Sequence, residues 1–209
     1  MVVGIDDFFS TRHVIPGKTN VRIGNTMKKY YKDYKLVPKE LPNGKIKYVT
    51  EYIGKYYICQ LDERKLRVFK LLYFALVLCS GAAAIGIGFI DNPGSRVLYV
   101  ALPYVSLFLP IVFSLLGTIG FMTAGNKLEQ AAYDRTKIRL YRSTVWQIIL
   151  SGMAFIGDMI FIISEKDKDL FLKEAAFAAS MLLVLILNII FVKLQKIVIY
   201  KVKDPDYNS

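Results

Sequence analysis

The sequence predicts a mainly α integral membrane protein, a bundle of four transmembrane helices with a small cytoplasmic N-terminal antiparallel β-meander. Three observations support this fold class. Hydrophobic residues make up 54% of the 209-residue chain, and the mean hydropathy of +0.37 is typical of membrane proteins rather than soluble domains. Four segments are apolar over roughly the 20 residues needed to cross a bilayer. Lys and Arg are concentrated in some connecting segments and not in others.

The apolar segments divide the chain into three parts. Residues 1–61 form a basic, tyrosine-rich domain, residues 62–196 the transmembrane domain, and residues 197–209 a cytoplasmic tail that we expect to be frayed. The four predicted spans cover about 69–90, 97–124, 143–163 and 174–195. Because the first span follows a long basic segment, it does not have the layout of a cleaved secretory signal.

The charge of the connecting segments predicts the orientation of the helices. Residues 1–70 carry fifteen basic and seven acidic side chains, and residues 125–142 carry five and two. The segments 91–96 and 164–173 each contain equal numbers of basic and acidic side chains. Since positive charge near helix ends is retained in the cytoplasm, both termini and the 125–142 segment should be cytoplasmic. Basic segments beside membrane helices also attract anionic lipid head groups.

The residue types needed for common catalytic and metal sites are scarce. The single histidine, His13, lies near the N-terminus, and the sequence contains no HExxH, GxSxG, P-loop or dinucleotide-binding motif. Cys59 and Cys79 lack the spacing of a disulfide framework, a zinc site or a CxxC redox pair. We therefore expect no catalytic residues, no metal site and no cofactor.

The N-terminal domain is predicted to contain three short strands, over residues 34–41, 45–53 and 56–61. Turn residues separate these strands, and the second strand alternates in polarity. A sheet this small buries little surface alone, so it should lean on the membrane, on the second cytoplasmic segment or on another protein. The residues expected to meet a protein partner or lipid head groups are Tyr48, Tyr52, Tyr56, Tyr57, Lys47 and Lys55.

Small residues recur at a spacing of four near the end of the first span. Ala82 with Gly86, and Ala84 with Gly88, form two such pairs. Small residues at this spacing let helix backbones approach closely in lipid, so all four are predicted helix-packing residues. The same pattern suits a contact within the chain or between chains.

One carboxylate, Asp158, lies inside the third predicted span. A charge in a lipid-embedded helix costs at least a few kcal/mol, so it usually has a partner, a proton or a function. Gln147, Ser151 and Asp158 share one helical face, which predicts that Asp158 faces protein rather than lipid. We expect no basic residue and no second acid at its depth. Comparison of depths along the four spans predicts an intramembrane polar site composed of Asp158, Gln147, Ser151, Asn188, Ser106, Ser180 and Ser114.

Two interpretations of this polar site remain open. In the first, Asp158 binds a proton or cation, and Gln147, Ser151 and Asn188 line a path to it from the cytoplasm. In the second, the same side chains form interhelical hydrogen bonds, each worth about 1 kcal/mol, that fix the register of the helices.

The sequence favours a non-enzymatic membrane protein, an accessory, regulatory or scaffold subunit of a membrane complex. The alternative is a small proton- or cation-coupled transporter or channel that uses Asp158. The expected partners are membrane lipids with anionic head groups and either a protein partner or further copies of the chain. The mixture of Tyr and Lys lacks a nucleic-acid-binding signature, so no nucleic acid is expected. A bacterial cytoplasmic membrane is the expected location.

Overall fold

The structure of the protein is a computed structural model that describes residues 30–40, 42, 46–164 and 168–204. Most of it is helical, and all four long helices are long and apolar enough to span a membrane, so the predicted mainly α fold with four such helices is confirmed. The helices are α1 (Glu63–Ile87), α2 (Leu98–Thr123), α3 (Gln130–Ser164) and α4 (Lys168–Ile197). The strands are β1 (Tyr34–Glu40), β2 (Ile46–Tyr52), β3 (Tyr56–Cys59), β4 (Lys127–Glu129) and β5 (Tyr200–Lys203).

The four helices pack around two apolar clusters. Helix α3 packs against both α2 and α4, and α1 packs against α4 and α2. One cluster lies toward the α1–α2 connection, here called the loop end, and includes Val100, Leu107 and Met181. The other lies toward the strands, here called the sheet end, and includes Tyr73 and Phe191. Many other large apolar side chains are exposed on the outside of the bundle.

Helix α3 begins well before the predicted third span. It starts at Gln130 rather than near 143, and residues Asp134–Ile138 form a π-helical segment within it.

Two lysines near the sheet end bind carbonyl groups at the ends of other helices. Lys70 Nζ donates to the Ala124 carbonyl at 2.5 Å, and Lys137 Nζ donates to the Val198 carbonyl at 2.7 Å. A cation at a helix C-terminus satisfies carbonyl groups that have no partner within the helix.

The predicted three-stranded meander is divided between two sheets. Strands β1 and β2 form an antiparallel hairpin, in which Tyr34 pairs with Tyr52 and Glu40 pairs with Ile46. Strand β3 instead pairs with β4 on one side and with β5 on the other. This arrangement buries Cys59 beside the apolar cluster at the sheet end, whereas a third strand on the exposed hairpin would bury little.

The expectation of a frayed tail is corrected at Tyr200–Lys203, which form β5; residues 205–209 lie outside the described residues. The pairing of β5 with β3 continues from the end of α4, and the Gln60 backbone N–H donates to the Ile199 carbonyl at 3.0 Å. The tail is therefore tied to the N-terminal strands and to the 125–142 segment in one three-stranded sheet. Residues 1–29 of the predicted N-terminal domain, with His13, also lie outside the described residues.

The small residues of α1 face two directions. Ala84 is fully buried, and Gly88 lies beside Tyr104, whose hydroxyl donates to the Ala84 carbonyl at 2.8 Å. Ala82 and Gly86 are exposed on the outer surface. The Ala84 and Gly88 pair thus packs against α2 within the bundle, and the Ala82 and Gly86 pair leaves a shallow surface open to the outside.

Candidate functional site

Asp158 and Glu174 form a buried carboxyl pair between α3 and α4 at the loop end. Asp158 is 0% exposed and Glu174 is 2% exposed. The two side chains lie close enough for a hydrogen bond to join them if one of them carries a proton. The expectation that Asp158 has no second acid at its depth is therefore wrong. The hydropathy pattern places Glu174 at the boundary of the fourth predicted span, whereas α4 begins at Lys168, six residues earlier.

The α1–α2 connection covers this pair from the loop end. The Glu174 carboxylate accepts a hydrogen bond from the Gly94 backbone N–H at 2.9 Å and one from Asn92 Nδ2 at 3.0 Å. A Cβ atom built on Gly94 would overlap Glu174 Oε2 and would lie 2.9 Å from Asp158 Oδ1. Both carboxyl groups thus approach the backbone at Gly94, and only glycine leaves the space that they occupy.

Asp158 is left with no donor. Neither of its carboxyl oxygens has a hydrogen-bond partner among the described residues. No Lys, Arg or His of the described chain pairs with either acid, and Arg96 of the covering loop pairs instead with exposed Asp91 at 2.5 Å. Two ionised carboxylates can only accept hydrogen bonds, so the buried pair is satisfied only when one of them is protonated or a cation lies between them. The arrangement can therefore bind one proton or one small cation.

The polar residues on the face of Asp158 in α3 are engaged in other contacts. Gln147 Nε2 donates to Ser114 Oγ and, at 3.2 Å, to the Pro110 carbonyl, which joins α3 to α2. Ser151 Oγ donates to the Gln147 carbonyl at 2.6 Å within α3. Gln147 and Ser114 are thus brought together, but their contacts tie helices rather than reach Asp158.

The predicted polar residues from the other helices have hydrogen-bond partners or surroundings other than Asp158. Asn188 Nδ2 donates to Ser80 Oγ at 3.0 Å, and Ser180 Oγ donates to the Ala83 carbonyl at 3.0 Å, so both join α4 to α1. Ser106 is exposed in a groove between α2 and α3. The contacts of Gln147, Asn188 and Ser180 favour the second interpretation of the predicted polar site, in which these side chains form interhelical hydrogen bonds. None of these hydrogen bonds reaches Asp158 or Glu174.

The partner of Asp158 was missed although a signal for it exists. Buried residues of α4 recur at alternating spacings of three and four, from Glu174 through Phe177, Met181, Val184, Asn188, Phe191 and Gln195. This is the spacing of one buried helical face. Extended from Asn188 toward the start of the helix, the pattern reaches Glu174 and places it inside the bundle. Extended toward the end of the helix, the same pattern reaches Gln195, whose Nε2 donates to Thr144 Oγ1 at 2.9 Å.

The tyrosines of the predicted docking face separate into two groups. Tyr52 accepts a hydrogen bond from the Gln130 backbone N–H at 2.9 Å, and Tyr57 donates to Gln130 Oε1 at 2.7 Å and stacks on Tyr133. Lys127 Nζ lies 3.5 Å above the ring of Tyr56. These three tyrosines attach the strands to the start of α3 and to β4.

Among the described residues, Tyr34 and Tyr52 anchor one end of the hairpin to the start of α3 and to β4. Burial, together with the hydrogen bond that its hydroxyl donates to Glu129, raises the pKa of Tyr34 to about 12. Lys55 approaches Asp204 at 4.0 Å on the surface. Beyond Tyr34 and Tyr52 the strands extend outward, and Lys47 and Tyr48 are exposed, with Tyr48 55% exposed. Of the predicted docking residues, these two remain accessible on the hairpin.

Two further results bear on function. Within the described ranges, no group of three His, Cys, Asp or Glu side chains is arranged to hold a metal ion. Comparison of the chain with protein-family models, with curated proteins and with solved structures finds no match.

Proposed function

We propose that the protein is a non-enzymatic integral membrane protein that serves as an accessory, regulatory or scaffold subunit of a membrane complex. The β1–β2 hairpin is its docking surface for a protein partner. The single observation that carries this proposal is that large apolar residues of the hairpin beyond Tyr34 and Tyr52, among them Leu36 and Ile46, are exposed.

Membrane placement is supported by the surface of the bundle and by its charges. The outward residues of the helices are large and apolar, among them Leu71, Val105, Leu109 and Ile156. Lys168 and Lys173 lie at the loop end, but most basic residues of the helices lie at the sheet end, among them Arg64, Lys65, Arg67, Arg135, Arg139, Arg142, Lys193 and Lys196. Positive charge at one end favours a cytoplasmic location for that end, with both termini, in a bacterial cytoplasmic membrane.

The hairpin has the features of a surface that a partner covers. Its register places Leu36, Pro38, Ile46 and Tyr48 on one face, and Ile46 is 61% exposed. Two strands alone are marginally stable in water, and open strand edges tend to pair with another chain. A partner that packs on this face or adds a strand to an edge of the hairpin would bury the apolar residues and pair with backbone groups of that edge. The exposed Ala82 and Gly86 of α1 offer a second contact within the membrane.

Charge introduced on the hairpin face should release the partner. The variant Leu36→Asp/Ile46→Asp is expected to lower the amount of partner recovered with the protein from mildly solubilised membranes at least about 30-fold, as loss of an interface hot spot does. The matched control is Val202→Asp, at an exposed apolar position of β5, which should retain the partner. Equal recovery by the wild-type protein and the double variant would rule out the hairpin as the docking surface.

A second function, a proton- or cation-coupled transporter or channel, is favoured by the Asp158–Glu174 pair. In that case Asp158→Asn should reduce flux into liposomes under an imposed pH or sodium gradient to the level of empty liposomes, because the substituted amide cannot exchange a proton or bind a cation in the same way. Asp91→Asn, which changes an exposed acid at the same end, should keep the wild-type flux. Wild-type flux in Asp158→Asn would exclude the transporter.

A further inference from the structure

A groove between α2 and α3 opens on the outer surface at the sheet end. Its volume is about 1120 Å³. Its polar end is lined by Arg135, Arg139 and Arg142, and its deeper end by Trp146 and Leu150. The spacing of four and three residues places the arginines on one helical face. The π-helical segment Asp134–Ile138 lies at this end of the groove, and such segments are frequent at functional sites.

The three arginines carry positive charge that the described chain does not neutralise. All three are exposed, and none forms an ion pair with a carboxylate of the described residues. Arg139 lies over the ring of Phe113, at 5.8 Å from its centroid. One acid, Asp134, also lines the groove, and it accepts a hydrogen bond from the Tyr30 hydroxyl at 2.6 Å. Three guanidinium groups against one carboxylate make the polar end a site for an anion, and guanidinium matches phosphate in geometry.

The rest of the groove matches an acyl chain. From Arg142 to Leu150 the helix rises by about 12 Å, which is close to the roughly 15 Å of one leaflet of the hydrocarbon core. Trp146, one turn below Arg142, is 58% exposed, and Leu109 and Phe113 of α2 are also exposed. Tryptophan at this depth is typical of the membrane interface. The basic end and the apolar floor lie in the order that a phospholipid presents its phosphate and its chain.

We propose that this groove binds one anionic phospholipid, with its phosphate on Arg135, Arg139 and Arg142 and an acyl chain along Trp146 and Leu150. The inference rests on the proposed membrane placement, and it adds a specific lipid site to the general attraction between basic segments and the bilayer. A lipid held there would bridge α2 and α3 and would respond to the anionic lipid content of the membrane.

The only tryptophan of the chain lies in the groove and gives a direct readout. The full-length protein is reconstituted into vesicles of ordinary phosphatidylcholine. Increasing fractions of a brominated lipid are added, which is brominated phosphatidylglycerol in one series and brominated phosphatidylcholine in the other. Brominated acyl chains quench tryptophan fluorescence on contact. Quenching by the brominated phosphatidylglycerol should reach half-maximum at a fraction at least about tenfold lower than quenching by the brominated phosphatidylcholine, because the three arginines together contribute more than one tenfold step in affinity for an anionic lipid. Arg139→Gln/Arg142→Gln should abolish the difference.

A matched control removes the same charge outside the groove. Arg64→Gln/Arg67→Gln changes two exposed arginines of α1 at the same end and should keep the preference for phosphatidylglycerol. Equal quenching by the two lipids in the wild-type protein, or the same loss in both double variants, would overturn the lipid site while leaving the membrane placement intact. Absence of quenching by either lipid would instead contradict the membrane placement itself.

Discussion

Gly94→Ala is expected to destabilise the protein by about 3 kcal/mol, because it adds a methyl group where two buried carboxyl groups meet the backbone. The added Cβ would overlap Glu174 Oε2 and would lie 2.9 Å from both Asp158 Oδ1 and Phe161 Cδ1. Neither acid has room to withdraw, since both are buried. The loop must therefore move away, and the hydrogen bond from the Gly94 N–H to Glu174 is lost.

The measurement is thermal unfolding of the purified protein in detergent, monitored by the fraction that remains monodisperse after heating. Gly125→Ala is the matched control, since nothing lies within 4 Å of a Cβ built at this position. The control should unfold at the wild-type temperature and Gly94→Ala several degrees lower. If the two glycine variants unfold at the same temperature, the close approach of the loop to the carboxyl pair is contradicted.

Glu174→Leu should destabilise the protein by about 4 kcal/mol, the second large effect. The leucine cannot accept the hydrogen bonds that Glu174 receives from Asn92 and from the Gly94 backbone, so two buried donors lose their partner. Each unsatisfied buried donor costs about 1–3 kcal/mol. Asp158 would then be alone in the bundle, without a group with which to share a proton.

Glu174→Gln tests whether the destabilisation by leucine comes from the lost hydrogen bonds, because glutamine has nearly the same shape as glutamate. Glutamine keeps one carbonyl oxygen for the loop and offers an N–H to Asp158, which has no donor in the wild-type protein. We expect its unfolding temperature to lie much closer to the wild type than that of Glu174→Leu, measured as for the glycine variants. If both variants lose equal stability, the polar contacts of Glu174 are not what anchors the α1–α2 connection.

The four helices could be predicted because their hydropathy is a local property of the sequence. The face of α3 that holds Gln147, Ser151 and Asp158 was also predictable, since it follows from helical period, and all three are buried. Lys168, Asp169 and Lys173 precede Glu174 and give this segment the composition of a polar connection, so hydropathy alone places Glu174 at the membrane boundary. A hydropathy average over this segment cannot separate Glu174 from its charged neighbours. The spacing of three and four residues along the buried face of α4 does separate it, because Glu174 falls on that face and its neighbours do not.

The partners of the polar residues could not be obtained from depth alone. Residues at equal depth on different helices meet only if the helices are neighbours and are rotated toward each other. Ser106 lies at about the depth of Asp158 but on the outer face of α2, and Asn188 meets Ser80 of α1 rather than a residue of α3. The rotation of each helix about its own axis is set by its packing against neighbouring helices, so it cannot be predicted from one span alone.

The partners of the strands, like those of the polar residues, could not be predicted from the sequence. The alternation of β2 predicted a strand correctly, but it does not specify which segment lies beside it. Strand β3 pairs with residues far along the chain, at Lys127–Glu129 and Tyr200–Lys203. The first of these is only three residues long and carries no readable alternation. Its pairing is fixed by the burial of Leu128 beneath the sheet, a tertiary effect.

The role as an accessory or scaffold subunit is tested most directly by the mass of the wild-type protein extracted in mild detergent, measured together with whatever leaves the bilayer with it. An accessory or scaffold subunit should be recovered with a second protein in fixed stoichiometry. Recovery as a monomer or homo-oligomer with no second protein would contradict that function and would leave the transporter that uses Asp158 and Glu174 as the better explanation.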